Sequence, residues 1–370
     1  MFTLQHILFY IFVASIGIQL FYFWGIFSRF AFYKKKDKST KHPPVSIVLC
    51  AKNEYSNLKK NIPLIINQDY PEFELVIVND ASDDETIFLL EDLERAHKNI
   101  TIVNITQDLN FFKGKKFPLS VGIKSAKHEC LLLTDADCTP ASSNWIKKMA
   151  GNFSKSKEVV LGYGKYQQES GWLNLVIRFE TLMTALQYFS YALMGIPYMG
   201  VGRNLAYKKS LFLKNNGFIS HYNVDSGDDD LFINEVANKK NTSIEIHPNS
   251  FTISEGKKTF SEWWMQKRRH LSTSKYYKFK HKFLLGLYSI SLIVTIIAFI
   301  FLLTLKVNIS IVLILFGIRI LSQLVIIKKA SDKLVEKKLL LFSPLIELFL
   351  LGVFPIMILT NLIIKRNRWQ

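Results

Sequence analysis

Asp135 and Asp137 close the run Leu131-Leu132-Leu133-Thr134-Asp135-Ala136-Asp137, two carboxylates one residue apart at the end of an apolar stretch. Side chains alternate in direction along a strand, so residues two apart project the same way past its end. Hard oxygen ligands facing one way suit Mg²⁺ or Mn²⁺, and an ion held there can bridge to the phosphates of an activated donor. An Asp-x-Asp pair alone is equally the solvated turn after a strand, with Asp capping the next turn of chain. Its neighbours in the fold decide between the two.

The elements that must position this pair form a series. Val45-Ser46-Ile47-Val48-Leu49, after Pro43-Pro44, reads as a first buried strand. Residues 54–66 have helix spacing, 75–78 read as a strand, 83–97 as a helix and 100–104 as a third strand. Residues 115–126 are helical, with Pro118 tolerable in the first turn, and lead into the strand 131–133. This βαβαβαβ alternation predicts an α/β domain with a mostly parallel sheet, whose ligands collect outside the carboxyl ends of the strands. Asp80 and Asp135 both lie at such ends. Residues 171–198 interleave Trp172, Phe179, Tyr188, Phe189, Tyr191 and Tyr198 on a helical pattern, which fits core packing or a helix lying against a membrane.

Apolar residues make up 49% of the 370 and gather at the two ends. Residues 7–27 and 284–305 carry no charge and are long enough to span a hydrocarbon core. Residues 307–327 and 339–364 have the same length but hold Arg319 and Glu347, with Pro344 and Pro355 in the last. Ionisable groups inside a membrane are costly unless paired, so Arg319 and Glu347 are expected to approach each other. No basic leader or small-x-small cleavage site accompanies the first run, so it is read as a retained anchor. Lys34-Lys35-Lys36, Lys38 and Lys41 come after it, and Lys275, Lys278, Lys280 and Lys282 precede the second run. By the positive-inside rule, the region between is cytoplasmic. Lys328, Lys329, Lys333, Lys337 and Lys338 fall in the next inside loop. The net charge of +17 is then mainly lysine facing anionic membrane lipids, and no nucleic-acid partner is implied. A simple fourth crossing would leave Lys365, Arg366 and Arg368 outside; a re-entrant hairpin broken near residues 352–355 would return them. The resulting division is an anchor at 1–33, a basic linker at 34–43, a cytoplasmic domain at 44–282 and a membrane region of two or three spans at 283–370. Cys50, Cys130 and Cys138 lack zinc spacing and read as reduced structural thiols.

Pro44-Val45-Ser46-Ile47-Val48, Asn53-Glu54, Val76-Ile77-Val78-Asn79-Asp80-Ala81-Ser82-Asp83, Gly114-Lys115-Lys116, Asp135-Ala136-Asp137, Gly227-Asp228-Asp229-Asp230-Leu231 and Gln266-x-x-Arg269 resemble, in order, the motifs of family 2 glycosyltransferases. The resemblance covers residues 45–270, and the flanking spans are similar to those of membrane-embedded members such as cellulose and hyaluronan synthases. It implies a GT-A fold, a Rossmann-like nucleotide-diphospho-sugar transferase domain, and inverting transfer from a nucleotide-sugar. Asp80 matches the carboxylate that contacts the nucleotide base, with Asp83 in the same acidic turn; Asp83 is also placed to cap the next helix, with Thr86 at its third position. Lys115 matches a basic residue near the donor diphosphate or ribose. Asp135 and Asp137 match the pair that binds donor and metal.

The acidic run should supply the base that takes the acceptor hydroxyl's proton. The family motif reads Glu-Asp-x-x-Leu, and counting back from Leu231 puts the base at Asp228 with Gly227 in the Glu position; Asp229 is the alternative. By itself the triple Asp is a helix start. Gln266, Arg269 and His270 resemble the Gln-x-x-Arg-Trp motif, with His in place of Trp. The arginine would stabilise the leaving diphosphate and the other two would shape the acceptor pocket. Gly202-Arg203-Asn204-Leu205-Ala206-Tyr207 with Gly217-Phe218 after it resembles the acceptor-side segment. The resulting expectation is an integral-membrane, Mg²⁺- or Mn²⁺-dependent enzyme that transfers sugar to a lipid-linked or glycan acceptor at the inner membrane face. A processive polysaccharide synthase and an inactive nucleotide-sugar-binding membrane protein are the alternatives.

Overall fold

The computed structural model describes residues 4–34, 42–106 and 114–363, with side chains to residue 361. The lysines at 35, 36, 38 and 41 and the basic residues at 365, 366 and 368 lie outside the described residues. The described region opens with α1 (Leu4–Phe21), a π-helical stretch at Tyr22–Phe27 and α2 (Ser28–Ala31), a continuous apolar rod. Next come β1 (Val45–Ala51), α3 (Tyr55–Ile66), β2 (Phe73–Asp80), α4 (Thr86–Ala96), β3 (Ile100–Ile105), α5 (Lys116–Ser125) and β4 (Cys130–Leu133). These strands pair in parallel in the order β3-β2-β1-β4. β1, β2 and β4 are buried almost throughout, which is why they read as unbroken apolar runs rather than alternating ones. Gly122 lets α5 press onto the sheet, since a Cβ there would meet Val78 and Val48 side chains at 2.6 and 2.8 Å.

One expectation fails here. Asp83 does not cap α4, because the helix starts at Thr86 and the Asp84 carboxylate accepts that residue's N–H at 3.0 Å. The Asp83 N–H instead donates to Asn53 Oδ1, so the turn is held by side chains reaching across from the β1 end.

The chain continues through β5 (Thr139–Pro140), α6 (Trp145–Ala150), β6 (Val159–Leu161), β7 (Gly164–Tyr166), α7 (Trp172–Met194), β8 (Leu205–Lys208), α8 (Lys209–Lys214), α9 (Asp230–Val236), β9 (Thr242–Ile244), β10 (Thr252–Ser254) and α10 (Phe260–Leu271). β8 inserts antiparallel beside β4 and carries β6 and β9 with it, giving a seven-stranded mixed sheet, β3-β2-β1-β4-β8-β6-β9. A second sheet, β5-β10-β7, closes over the end of β4. Thr259 and Glu262 form a reciprocal capping box that starts α10.

α7 resolves the choice left open for the aromatic stretch. Val176, Ile177, Phe179, Leu182, Leu186, Tyr188 and Phe189 are all buried, so the helix is apolar around most of its circumference and belongs to the core. It packs on β7 and β9 on one side and on α2, with Phe30 stacked on Phe189, on the other.

The final helices are α11 (Phe279–Thr304), α12 (Ile309–Leu334) and α13 (Ser343–Ile363). With the 4–31 rod, four helices among the described residues are long and apolar enough to cross a membrane. Arg319 meets Glu347 at 2.6 Å as expected, and Gln19, Gln323 and Tyr288 complete its polar surroundings. α13 is one helix through Pro355, not a broken hairpin. A proline leaves one i−4 carbonyl unpaired, which apolar helices packed on neighbours tolerate. The far end of α13 is tied to α10: Arg268 Nε donates to Asn361 Oδ1 at 2.9 Å, and Asn361 Nδ2 donates back to the Arg268 carbonyl at 3.0 Å. Between α12 and α13, Glu336 is buried and accepts from Arg178 Nε and Nη2 at 2.9 and 2.6 Å and from the Tyr163 hydroxyl at 3.2 Å.

Candidate active site

Four elements deliver charged groups to the carboxyl ends of the parallel strands. Cys50, one residue before the end of β1, reports this convergence: burial, with Lys115 opposing and Asp228, Asp80 and Asp135 adding to it, pushes its thiol up to about 12. Asp80 comes from the end of β2, Asp135 from the turn after β4, Lys115 from the entry to α5, and Asp228 from the loop before α9. A small pocket at the centre is lined by Lys115, Leu119, Leu133, Gly202, Leu205, Tyr207, Asp228 and Asp229.

Lys115 is ion-paired to Asp135. Burial opposes its charge, but Asp135 and Asp228 hold the ammonium protonated well above the ordinary lysine range. Burial likewise opposes ionisation of Asp135, yet Lys115, with help from Arg203 and Arg269, keeps that carboxyl below the usual range. Lys116, buried, donates to the carbonyls of His221 and Val224 at 2.6 and 2.9 Å, and so clamps the loop that carries the acidic run. Gly114 makes the approach possible: its φ is +82°, and a Cβ there would lie 2.5 Å from the Asp225 carbonyl oxygen.

The three adjacent aspartates do different things. Asp230 is buried in α9 and accepts from the Thr273 and Tyr277 hydroxyls at 2.5 and 2.6 Å, joining α9 to the entry of α11. Asp229 is the N-cap of α9, accepting from the Asp230 N–H and, with its other oxygen, from the Gly202 N–H, both at 2.7 Å. Burial and the charges of Asp228 and Asp230 push its carboxyl up to about 8. Asp228 accepts no hydrogen bond from a described residue, and it opens onto the pocket. The helix-start reading of the run and the carboxylate-in-a-cleft reading are thus both realised, on neighbouring residues.

Asp135, Asp137 and Cys138 bring their ligand atoms within 4.8 Å of one another. Asp137 is open to the cleft and has no ion pair among the described residues, while Asp135 is ion-paired to Lys115. The Asp137 carboxyl is raised by the desolvating walls of the cleft and by Asp135, the mark of two anions that a cation would relieve. Two carboxylates on one side of a cleft fit a hard divalent ion. Cys138 does not: burial drives its thiol well above the usual range, and its Sγ–H is spent on Asp137 at 3.4 Å.

Around the β2 end, Asn53 and Ser82 lock two turns together: the Asn53 N–H donates to Ser82 Oγ at 3.1 Å and the Asp83 N–H to Asn53 Oδ1 at 3.0 Å. Asn53 takes the left-handed conformation, φ 56°, that this exchange requires. Asp83 is exposed at the rim, and Glu54 lies close enough to Asp137 and Asp135 to feel both. On α10, Gln266 Nε2 reaches the Tyr166 hydroxyl at 3.4 Å, and the charge of Arg269 is felt at Asp135, so the i, i+3 pair faces the site. His270, one residue on, is exposed at the rim of the helix.

Three nearby side chains had no individual role in the sequence reading, which placed Arg203 and Tyr207 only within an acceptor-side segment. Lys116 is one. Tyr207 is another: its hydroxyl is buried in the pocket wall and has no hydrogen-bond partner among the described residues. Arg203 is the third, with its guanidinium 4.1 Å above the Tyr166 ring and its charge felt at Asp135 and Asp137. The acceptor-side resemblance of residues 202–207 was the one signal for it, and Gly202 of that segment does contact the acidic run.

The loop that carries the aspartates has an acid-sensitive support. Burial and Lys116 lower the His221 imidazole to about 4, with Glu235 and Asp228 opposing. A histidine lowered in the folded state favours folding above its unfolded pKa near 6.5 and loses that contribution as pH falls toward 4. Melting temperature and activity are expected to fall across that window, by up to about 3 kcal/mol in stability, and His221→Gln should flatten the decline. A melting curve of the variant that tracks the parent at every pH would rule this out.

Residues 46–214 match the family model described as Glycosyl transferase family 2. A glycosyltransferase of Haemophilus influenzae is 28% identical over 146 residues, covering 40% of this chain and 42% of that protein. A probable glycosyltransferase, YdaM, of Bacillus subtilis is 23% identical over 290 residues, covering 73% and 66% respectively. The chain thus spans less than two thirds of the length of either relative. Among solved structures, a mannosyltransferase from Pyrobaculum calidifontis in complex with GDP-Man and Mn²⁺ superposes with a TM-score of 0.61 at 17% identity, covering 91% of this chain and 100% of that one. Its likeness extends to the fold. Ordered motifs, a sheet ending in converging carboxylates and the family match agree: residues 46–214 carry the match to family 2 glycosyltransferases, on a GT-A fold flanked by helices long and apolar enough to span a membrane.

Proposed function

We propose that the protein transfers a sugar from a nucleotide-diphosphate sugar to a lipid-linked or glycan acceptor, with inversion, on the cytoplasmic side of the membrane that holds its apolar helices. The observation that carries this reading is Asp228, a carboxylate with no hydrogen bond from a described residue, in the same pocket as the Lys115 ammonium that pairs with Asp135. Asp80 and Asp83 face the nucleotide base side. Asp135 and Asp137 would hold a divalent cation, which would supply positive charge against the donor diphosphate. Lys115 and Arg269 add fixed cations there. Asp228 takes the proton of the acceptor hydroxyl as that oxygen bonds to the anomeric carbon. The bond to the diphosphate breaks on the opposite face, and its electron pair leaves with the phosphate. Asp229 keeps α9 and the Gly202 turn in register behind it. Gln266 and His270 border the acceptor side.

Limited transfer is favoured over processive synthesis by the exposed His270 where an aromatic platform would be needed, and by the small number of spans. The test is nucleotide release by the purified, detergent-solubilised protein across a panel of nucleotide-sugars with Mn²⁺ or Mg²⁺. One donor should be turned over, and chelation should stop it. Binding of donor without release from any of the panel, acceptor lipids included, would instead favour a nucleotide-sugar-binding protein.

A further inference from the structure

Arg203 lies where three parts of the site meet. It belongs to the turn Gly202–Asn204, whose first residue donates its N–H to Asp229 and whose last, Asn204, is bound to Trp145, Tyr163 and Ser250. The Arg203 carbonyl accepts from the Thr134 hydroxyl at 3.1 Å, immediately before Asp135, and from the Thr252 hydroxyl at 2.9 Å. Its backbone is therefore fixed to both the acidic run and the Asp-x-Asp turn. The side chain is fixed as well. The guanidinium lies 4.1 Å over the Tyr166 ring, and Nη1 donates to Ser254 Oγ at 2.8 Å and to the Lys165 carbonyl at 3.4 Å. Tyr166 is itself the residue that Gln266 reaches.

What this anchoring leaves unused is informative. Nε and Nη2 of Arg203 donate to no described residue, neither is a sealed, unsatisfied atom, and the guanidinium forms no ion pair among the described residues although Asp135 and Asp137 both feel its charge. A planar cation held by a ring on one side and a hydroxyl at one corner presents a preorganised fork, the geometry that suits phosphate oxygens. The two carboxylates alone do not demand it, because Lys115 already pairs with Asp135. With a divalent cation between the carboxylates, a further fixed positive charge would be repelled unless an anion of more than one charge lay beside it.

Building on the donor reading above, we propose that Arg203 is a phosphate-binding residue of this site, contacting the diphosphate of the donor and of the released nucleotide. The released diphosphate carries one more negative charge than the bound donor, so a fixed cation there stabilises the leaving group as its charge grows and acts on kcat more than on donor KM. The competing account makes Arg203 a purely structural tie between β7, β10 and the Gly202 turn.

Calorimetry separates them. The full-length protein in detergent with Mn²⁺ is titrated with UDP, GDP and TDP, and the tightest is compared with its own monophosphate. In Arg203→Ala the diphosphate is expected to lose about tenfold or more in affinity, while the monophosphate changes little, so the preference for a second phosphate shrinks. Arg203→Lys keeps the charge without the fork and should recover part of the loss; it carries the same comparison if the alanine variant does not fold. Equal weakening of both ligands, or of neither, in a variant that melts like the parent would leave Arg203 structural and overturn the assignment. A parent protein that binds none of the three diphosphates would overturn the donor reading itself, and this assignment with it.

Discussion

Asp228→Asn is expected to lower sugar transfer by about 10²- to 10⁴-fold, the usual worth of a positioned general base, while leaving nucleoside-diphosphate affinity and melting temperature close to those of the parent. Among the described residues the side chain has no hydrogen bond to lose, and it lines the pocket, so an isosteric amide removes only the proton acceptor. Asp229→Asn should behave differently. Both of its oxygens accept backbone N–H groups, and turning an amide nitrogen toward either one leaves a donor facing a donor. Its cost should appear first as lost stability. Single-turnover transfer with melting temperatures for the two variants decides the assignment. If Asp228→Asn turns over while a stably folded Asp229→Asn does not, the base is Asp229.

The second large effect is on stability. Arg178→Ala strands the Glu336 carboxylate in a site with no exposure, and breaking a buried pair in this way typically costs about 3 to 5 kcal/mol. Replacing both partners with apolar residues, Arg178→Met with Glu336→Leu, should recover most of that loss. The pH dependence gives a second readout. Burial pushes the Glu336 carboxyl up, and Arg178 and Lys165 oppose it. Without Arg178 the folded state prefers the neutral acid even more strongly. A carboxyl raised in the folded state contributes stability below its unfolded pKa and loses it as pH rises through the folded one. The melting temperature of Arg178→Ala should therefore fall further behind the parent as pH rises, and an offset that stays constant with pH would contradict this account.

The first half of the sheet was legible because β1, β2 and β4 are buried almost throughout and β2 and β4 run into polar residues, as Val76-Ile77-Val78-Asn79-Asp80 and Leu131 to Asp135 show. Local pattern there coincides with tertiary role. β6, β8 and β9 are three or four residues long and pair with partners far away in the chain, so the antiparallel insertion of β8 leaves no local periodic trace. The site divides in the same way. Asp135, Asp137 and Lys115 stand at strand ends and helix starts that the pattern marks, whereas Arg203 acquires its place from Tyr166 and Ser254, which lie 37 and 51 residues away in opposite directions. α4 starts at Thr86, whose N–H the Asp84 carboxylate accepts, while the Asp83 N–H is held by Asn53, a contact thirty residues distant that no capping rule contains. The Arg319–Glu347 pair was legible for the opposite reason: two isolated charges in apolar surroundings have almost nowhere else to go.

The clasp between Arg268 and Asn361 joins the helix bearing Gln266 and Arg269 to the end of α13, while Trp172 at the start of α7 packs on Phe349 of the same helix. The catalytic domain is thereby tied at two points along one apolar rod, which restrains rocking about its linkers. On the function proposed above, with that rod bedded in lipid, the two ties would hold the anomeric carbon of a bound donor at a set height above the acyl chains, a ruler by which acceptor hydroxyls would be reached according to the length of their carrier.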